Sequence, residues 1–168
     1  MDNYLFDTCL VSQLLDPTRD KHETVKRYVA SLDQKAFKYI SLISIAELEF
    51  GFQLAVQQKH THLPQIQKIL KKAKQMPLLE VTQHTSSHYA LVKARVAAKY
   101  CPNAIKNLPR WTDGWVFELT GEKLQIDEND LWICAQAMER NLVLVTIDNG
   151  IGRIREAVPN LLRLKIIN

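Results

Sequence analysis

Short apolar runs that alternate with amphipathic segments constrain the fold of this chain more than any other feature of its sequence. The clearest runs are "NYLFD" at residues 3–7, "FKYISLI" at 37–43 and "LVLVTI" at 142–147. The last is apolar throughout, which is typical of a parallel strand covered on both faces. Two further runs, at residues 78–82 and 161–167, complete the set of predicted strands.

Amphipathic helices are predicted between these strands. From residue 21 to 32, apolar side chains recur at i, i+3, i+4 and i+7 and therefore lie on one helical face. Strands separated by helices favour an α/β sandwich with a mostly parallel central sheet flanked by helices. Further helices are predicted at residues 44–58, 63–76, 86–100, 129–140 and 150–157.

Length and composition favour one globular domain. The chain has 168 residues, of which 46% are hydrophobic and 24% charged, and a typical domain has ~150 residues. We therefore predict a single domain over residues 1–168. Its least regular part is an extended connection at about residues 101–125, where Pro and Gly interrupt any periodic pattern.

The composition also bears on location and partners. The first residues lack a basic stretch and Asp7 interrupts their apolar run, which argues against a signal peptide. No apolar run approaches the ~20 residues that cross a bilayer. The three cysteines are far apart, which favours free thiols. We expect a soluble cytoplasmic protein without a membrane partner, whose net charge of +4 permits binding to a polyanion.

Four acids occupy positions that a parallel sheet brings to one edge. Asp7 and Asp148 follow apolar strands, Glu47 follows the strand "YISLI", and Asp130 opens the helix before the strand "LVLVTI". Sites in such sheets form beyond the carboxyl ends of the strands. Crowded carboxylates repel one another and shift their pKa values upward unless a cation neutralises them. Such hard oxygen ligands favour Mg²⁺, with Mn²⁺ as a substitute.

Most of these acids also have a purely structural interpretation. Glu47 could close a capping box that begins at Ser44. Asp130 could complement a helix dipole, and residues 148–150 could form only a turn. Asp7 has no such simple explanation, and the four acids together favour a common site.

Three motifs in these same segments resemble a known family. "YLFDTCLVSQLL", "ISLISIAELEFGF" and "ENDLWICAQAMERNLVLVTID" are similar to the motifs of the PIN-domain family, in the family's order and over essentially the whole chain. Within that family the sequence most resembles the VapC toxins of toxin-antitoxin pairs. The resemblance departs in the connection, which is longer than usual, and after Asp148, where an Asp-Phe pair is lacking.

The resemblance implies a PIN-like three-layer sandwich and an RNA substrate, a cognate antitoxin and a homodimer. It also assigns roles to six residues: Asp7, Glu47, Asp130 and Asp148 coordinate the metal, and Thr8 and Thr146 support them. The predicted reaction is hydrolysis of RNA phosphodiester bonds by metal-activated water, that is, a metal-dependent endoribonuclease that serves as a toxin.

Two alternatives belong to other functional classes. The chain could be a PIN-like module that binds RNA and has lost catalysis. It could also be a Mg²⁺-dependent phosphatase or phosphotransfer domain with an aspartyl nucleophile. Against the phosphatase, Cys9 stands two positions after Asp7, where a second Asp is expected.

Other chemistry-bearing residues have weaker signals. His84 and His88 have the spacing of a zinc pair without a third ligand, and Lys71, Lys72 and Lys74 fit a solvated helix face. Trp111 and Trp115 have rings that could stack on bases, although packing of the connection is the simpler interpretation. Cations near the proposed site have a stronger case for phosphate contacts; these are Arg110, Arg153 and Arg155.

Overall fold

A parallel sheet forms the centre of the molecule. The computed structural model describes residues 2–168. The strands are β1 (Tyr4–Phe6), β2 (Lys38–Ser41), β3 (Leu78–Leu79), β4 (Val143–Thr146) and β5 (Arg163–Ile166). They pair in the order β3-β2-β1-β4-β5, and each neighbouring pair is parallel.

Helices cover both faces of this sheet. They are α1 (Thr8–Leu15), α2 (His22–Ser31), α3 (Leu42–Gln57), α4 (Leu63–Ala73), α5 (Gln83–Tyr100), α6 (Glu128–Glu139) and α7 (Gly150–Ala157). The predicted three-layer α/β sandwich with a parallel central sheet is therefore confirmed. Within residues 2–168, no helix combines the length and apolar character needed to cross a membrane.

Alternation along the strands builds a separate core on each face. Leu5 and Leu144 are fully buried in the cluster that α5, α6 and α7 complete. Phe6 and Val145, one residue further along each strand, are fully buried in the cluster shared with α1 and α2. Burial of such a side chain contributes about 1.5–3 kcal/mol, so both layers are held firmly to the sheet. The edge where the site forms therefore has a rigid base.

The start of α3 differs from the prediction. The strand predicted over residues 37–43 ends at Ser41, whose hydroxyl accepts a hydrogen bond of 2.9 Å from the Ile43 amide and begins the helix. Ser44 is therefore inside the helix, and Glu47 lies in its second turn. The alternative interpretation of Ser44 and Glu47 as a capping box does not apply, because the strand passes directly into a helix that Ser41 already caps.

The connection between α5 and α6 is irregular but well anchored. It contains two short 3-10 turns, Ile105–Asn107 and Thr112–Gly114, and an isolated antiparallel bridge between Val116 and Lys123. Leu124 near its end is fully buried in the core beside α5 and α6. The connection is thus part of the packed body of the protein.

Candidate functional site

The four predicted acids all lie at the carboxyl edge of the sheet. Asp7 directly follows β1 and is the N-cap of α1, and Asp148 comes two residues after β4. Glu47 lies in the second turn of α3, and Asp130 lies in the first turn of α6. The parallel topology predicted from the sequence thus places all four at this edge.

Asp7 is the most buried of these acids, with 3% of its surface exposed. Its Oδ1 accepts a hydrogen bond of 2.7 Å from the Leu10 amide, and its Oδ2 accepts one from the Thr146 hydroxyl. Burial raises the pKa of Asp7 to about 7, and the charges of Asp148 and Glu47 add to the rise while the two hydrogen bonds oppose it. A nearby cation would stabilise the charged form of a buried carboxyl whose pKa is raised in this way.

Asp130 combines a structural role with a place in the acidic cluster. Its amide donates to Asp127 Oδ1 at 2.9 Å, and its Oδ2 accepts from the Asp127 amide at 3.3 Å, so the two residues form a capping box. Burial raises the pKa of Asp130 to about 8, with further contributions from Asp127, Asp148 and Asp7. The helix-start interpretation of Asp130 is therefore correct, and it coexists with repulsion from the other acids.

Glu47 is held by polar side chains from two other segments. Its Oε1 accepts a hydrogen bond of 2.9 Å from the side-chain amide of Asn129, and its Oε2 accepts one from the Thr8 hydroxyl. The Thr8 hydroxyl also lies 2.8 Å from Ser44 Oγ. Thr8 therefore holds one oxygen of Glu47. Asn129 and Ser44 were not predicted as site residues, although Asn129 directly precedes Asp130.

Asp148 forms the turn that the sequence indicated. Its Oδ1 accepts a hydrogen bond of 2.7 Å from the Gly150 amide, and its own amide donates to Thr146 Oγ1 at 2.8 Å. The hydroxyl of Thr146, which also donates to Asp7, thus bridges two of the acids.

The pKa of the Cys9 thiol is affected by all four acids. Desolvation is the main cause that raises the pKa of Cys9, to about 12, and the charges of Asp7, Asp148, Asp130 and Glu47 add to it in that order. One side chain is therefore within electrostatic reach of all four carboxylates.

The donor chemistry of this cluster fits a hard divalent cation. All four side chains offer carboxylate oxygens, and neighbouring charges contribute to the raised pKa values of Asp7 and Asp130. As the side chains stand, however, no group of three or more His, Cys, Asp or Glu residues within 2–168 is arranged to hold a metal ion.

Other residues that the sequence singled out have structural roles. The His88 ring nitrogen Nδ1 lies 2.9 Å from the His84 carbonyl oxygen, and Lys74 forms an ion pair with Glu49. Arg153 donates to the carbonyl oxygens of Lys123 and Leu124 and so holds the end of the connection.

Most of the chain matches a known protein family. The family model of the PIN domain matches residues 4–157. No curated protein matches the sequence.

Several solved structures share the fold. VapBC2 from Rickettsia felis, bound to a DNA fragment from its promoter, superposes with a TM-score of 0.63 at 19% identity, covering 98% of each chain. DNA-bound VapBC from Salmonella typhimurium gives 0.64 at 17% identity, covering 100% of each. VapC20 from Mycobacterium tuberculosis, described as a toxin that cleaves the sarcin-ricin loop, gives 0.59 at 10% identity, covering 96% of this chain and 98% of that one.

Proposed function

Because the chain belongs to the PIN-domain family, we propose that it is an endoribonuclease that hydrolyses RNA phosphodiester bonds with a bound divalent cation. The observation that carries this proposal is the placement of four acids at the carboxyl edge of the sheet, where the Thr146 hydroxyl joins Asp7 to the Asp148 amide and Asn129, next to Asp130, contacts Glu47. A cation held by these acids would neutralise their charge and allow a phosphate to lie beside them.

The proposed cation is Mg²⁺, with Mn²⁺ as a substitute, held by Asp7, Glu47, Asp130 and Asp148. When bound, such an ion supplies a water of lowered pKa as the nucleophile and neutralises charge on the phosphate. In the proposed mechanism the carboxylates act as ligands, and no side chain forms a covalent intermediate.

The polar neighbours of the acids position them for this role. Thr146 contacts Asp7 through its hydroxyl and receives the Asp148 amide, so it sets the distance between two acids. Thr8 and Asn129 hold the two oxygens of Glu47. Without a cation, a pKa of about 8 leaves the carboxyl of Asp130 mostly protonated at neutral pH, and a cation would displace that proton.

The partners in this proposal follow from the structural neighbours. The fold is shared with chains of VapBC toxin-antitoxin complexes, and VapC20 is described as a toxin that cleaves the sarcin-ricin loop. We therefore propose that this chain is the toxin of such a pair and that a cognate antitoxin blocks it. From the resemblance to VapC toxins alone, we also propose that it acts in the cytoplasm as a homodimer.

Cleavage of a labelled single-stranded RNA by the purified protein tests the enzymatic proposal. We expect cleavage with Mg²⁺ or Mn²⁺, none in excess EDTA, and a loss of at least about a hundredfold in Asp7→Asn, with RNA binding retained. Undiminished cleavage in EDTA would refute the metal-dependent mechanism. RNA binding without cleavage under any cation would identify an RNA-binding module, and phosphate retained on Asp7 after incubation with a phosphoryl donor would identify a phosphotransfer domain.

A further inference from the structure

We propose that Trp111 and Arg110 form a stacking platform for a base of the RNA beside the acidic site. This inference rests on the proposed function, because it assigns a binding role to the connection that precedes α6. The platform would bind the RNA strand, and catalysis would take place at the acids.

The two tryptophans of the connection have different environments. Trp115 is 3% exposed, and its indole Nε1 donates a hydrogen bond of 2.7 Å to the Pro109 carbonyl oxygen. Trp111 is 54% exposed. Packing of the connection is therefore the role of Trp115, and the ring of Trp111 remains largely available to a ligand.

The segment that presents Trp111 is fixed to the first turn of α6. Thr112 is fully buried, and both its amide, at 3.3 Å, and its hydroxyl, at 3.2 Å, donate to Glu128 Oε2. The other oxygen of Glu128 forms an ion pair with Lys93 and accepts a hydrogen bond from the Tyr89 hydroxyl. An exposed ring on an anchored backbone loses little conformational freedom when a base stacks on it.

That same turn of α6 carries two residues of the acidic site. Glu128 contacts the connection, Asn129 contacts Glu47, and Asp130 belongs to the acidic cluster. Trp111 therefore sits beside a helix turn whose next residues reach the acids. In the proposed complex, an RNA strand with one phosphate at the acids would place a neighbouring nucleotide against this ring.

The cations around Trp111 favour RNA as the ligand. The Arg110 guanidinium carbon lies 4.9 Å from the centroid of the Trp111 ring, and Lys93 Nζ lies 5.9 Å from it. Within residues 2–168, the Arg110 side chain forms no ion pair. An aromatic ring beside a guanidinium that forms no ion pair provides a face for a base and a charge for a phosphate, the combination typical of single-strand binding.

The test compares Trp111→Ala with Phe37→Ala, a control at an aromatic residue of similar exposure, 58%, next to the amino end of β2. Stacking of one base is worth enough to change affinity by about tenfold. We expect Trp111→Ala to raise KM for single-stranded RNA about tenfold with kcat within about twofold, and Trp111→Phe to recover most of the loss. Phe37→Ala should leave both constants unchanged.

A binding measurement separates this inference from the proposed function. Fluorescence anisotropy measures the binding of a labelled single-stranded RNA in EDTA to two proteins, Asp130→Asn and the double variant Asp130→Asn/Trp111→Ala. We expect the double variant to bind the RNA with lower affinity.

If wild type cleaves RNA and Trp111→Ala changes neither KM nor binding, the platform is refuted while the nuclease stands, and the exposed ring would instead serve a protein partner. If Trp111→Ala lowers kcat and melting temperature together without a change in RNA binding, the ring packs the connection and the inference is equally refuted. If wild type never cleaves but binds RNA through Trp111, only the proposed function fails.

Discussion

The side-chain amide of Asn129 donates a hydrogen bond of 2.9 Å to Glu47 Oε1, joining residues that are 82 positions apart. Asn129 directly precedes Asp130, so one turn of α6 supplies an acid of the cluster and orients another acid from α3. The two helices are thereby coupled at the site. The geometry of Glu47 consequently depends on a neutral side chain of α6.

Replacing Asn129 by Ala tests this positioning role. A hydrogen bond to a partly buried charged group contributes about 1.5–3 kcal/mol at most, so we expect the variant to remain folded with a modest loss of stability. Displacement of Glu47 should lower kcat/KM for RNA by about tenfold to a hundredfold. Cleavage rates and thermal melts check the two effects. Asn160→Ala, at an exposed position, is the control, and wild-type activity in Asn129→Ala would contradict the positioning role.

The metal-free protein should lose stability as the pH rises. Asp7 and Asp130 have folded-state pKa values of about 7 and about 8, above the ordinary value of about 3.9 for the unfolded chain. Between the unfolded value and the folded values, the folded protein binds more protons than the unfolded chain. The free energy of unfolding therefore falls as the pH rises from about 4 to about 8. Melting temperatures in EDTA across this range measure the slope, and added Mn²⁺ at the upper end should restore part of the loss.

Asp130→Asn provides the matched variant for this experiment. Its amide oxygen can still accept from the Asp127 amide, while the buried charge is removed. We expect the variant to melt at or above the wild-type temperature near pH 8 without metal, to gain less from Mn²⁺ and to have little nuclease activity. A wild-type melting temperature that rises between about pH 5 and pH 8 in EDTA would show that folding does not raise the pKa values of Asp7 and Asp130.

Thr146 should be sensitive to loss of its hydroxyl and tolerant of loss of its methyl group. It is fully buried, donates to Asp7 and accepts from the Asp148 amide. Thr146→Val removes both hydrogen bonds and leaves buried polar groups unpaired, which costs about 1–3 kcal/mol per group. The variant should also raise the pKa of Asp7 further, because the Thr146 hydrogen bond lowers it.

Denaturant unfolding and the pH dependence of cleavage check this prediction in Thr146→Val and Thr146→Ser. The serine variant keeps the hydroxyl and should retain most activity. If valine and serine variants are equally active, the hydroxyl has no part in positioning Asp7 and Asp148.

Gly150 should be far less replaceable than Gly152, although both belong to α7. A Cβ on Gly150 would lie 2.9 Å from the Gln125 carbonyl oxygen and 3.2 Å from Asp148 Oδ1, whereas a Cβ on Gly152 meets only Ile166 Cδ1 at 3.7 Å. Gly150→Ala should therefore displace Asp148 and lower both melting temperature and activity. Gly152→Ala should be neutral or stabilising by up to about 1 kcal/mol, because alanine favours a helix. Equal behaviour of the two variants would refute the close contact at Gly150.

Local pattern was sufficient for much of the architecture. The apolar runs that end at Asp7 and Asp148 identified β1 and β4, since burial on both faces leaves a continuous apolar signature. Parallel pairing then placed the acids at one edge, because all strands of such a sheet point the same way. The start of α3 was wrong by two residues for a local reason: Ser41 and Ser44 are both competent caps, and only the extended backbone at Ser41 selects between them.

Tertiary packing decided how the acids are held and what surrounds them. No local pattern links Asn129 to Glu47 or Thr112 to Glu128, because those contacts depend on how α6 packs against α3 and against the connection. The same packing buries Trp115 and leaves Trp111 exposed, although the two have the same side chain and lie four residues apart in an aperiodic segment. The order of elements and the edge of the site follow from short-range burial patterns, while the hydrogen-bond partners and the exposed ring follow from contacts between segments distant in the chain.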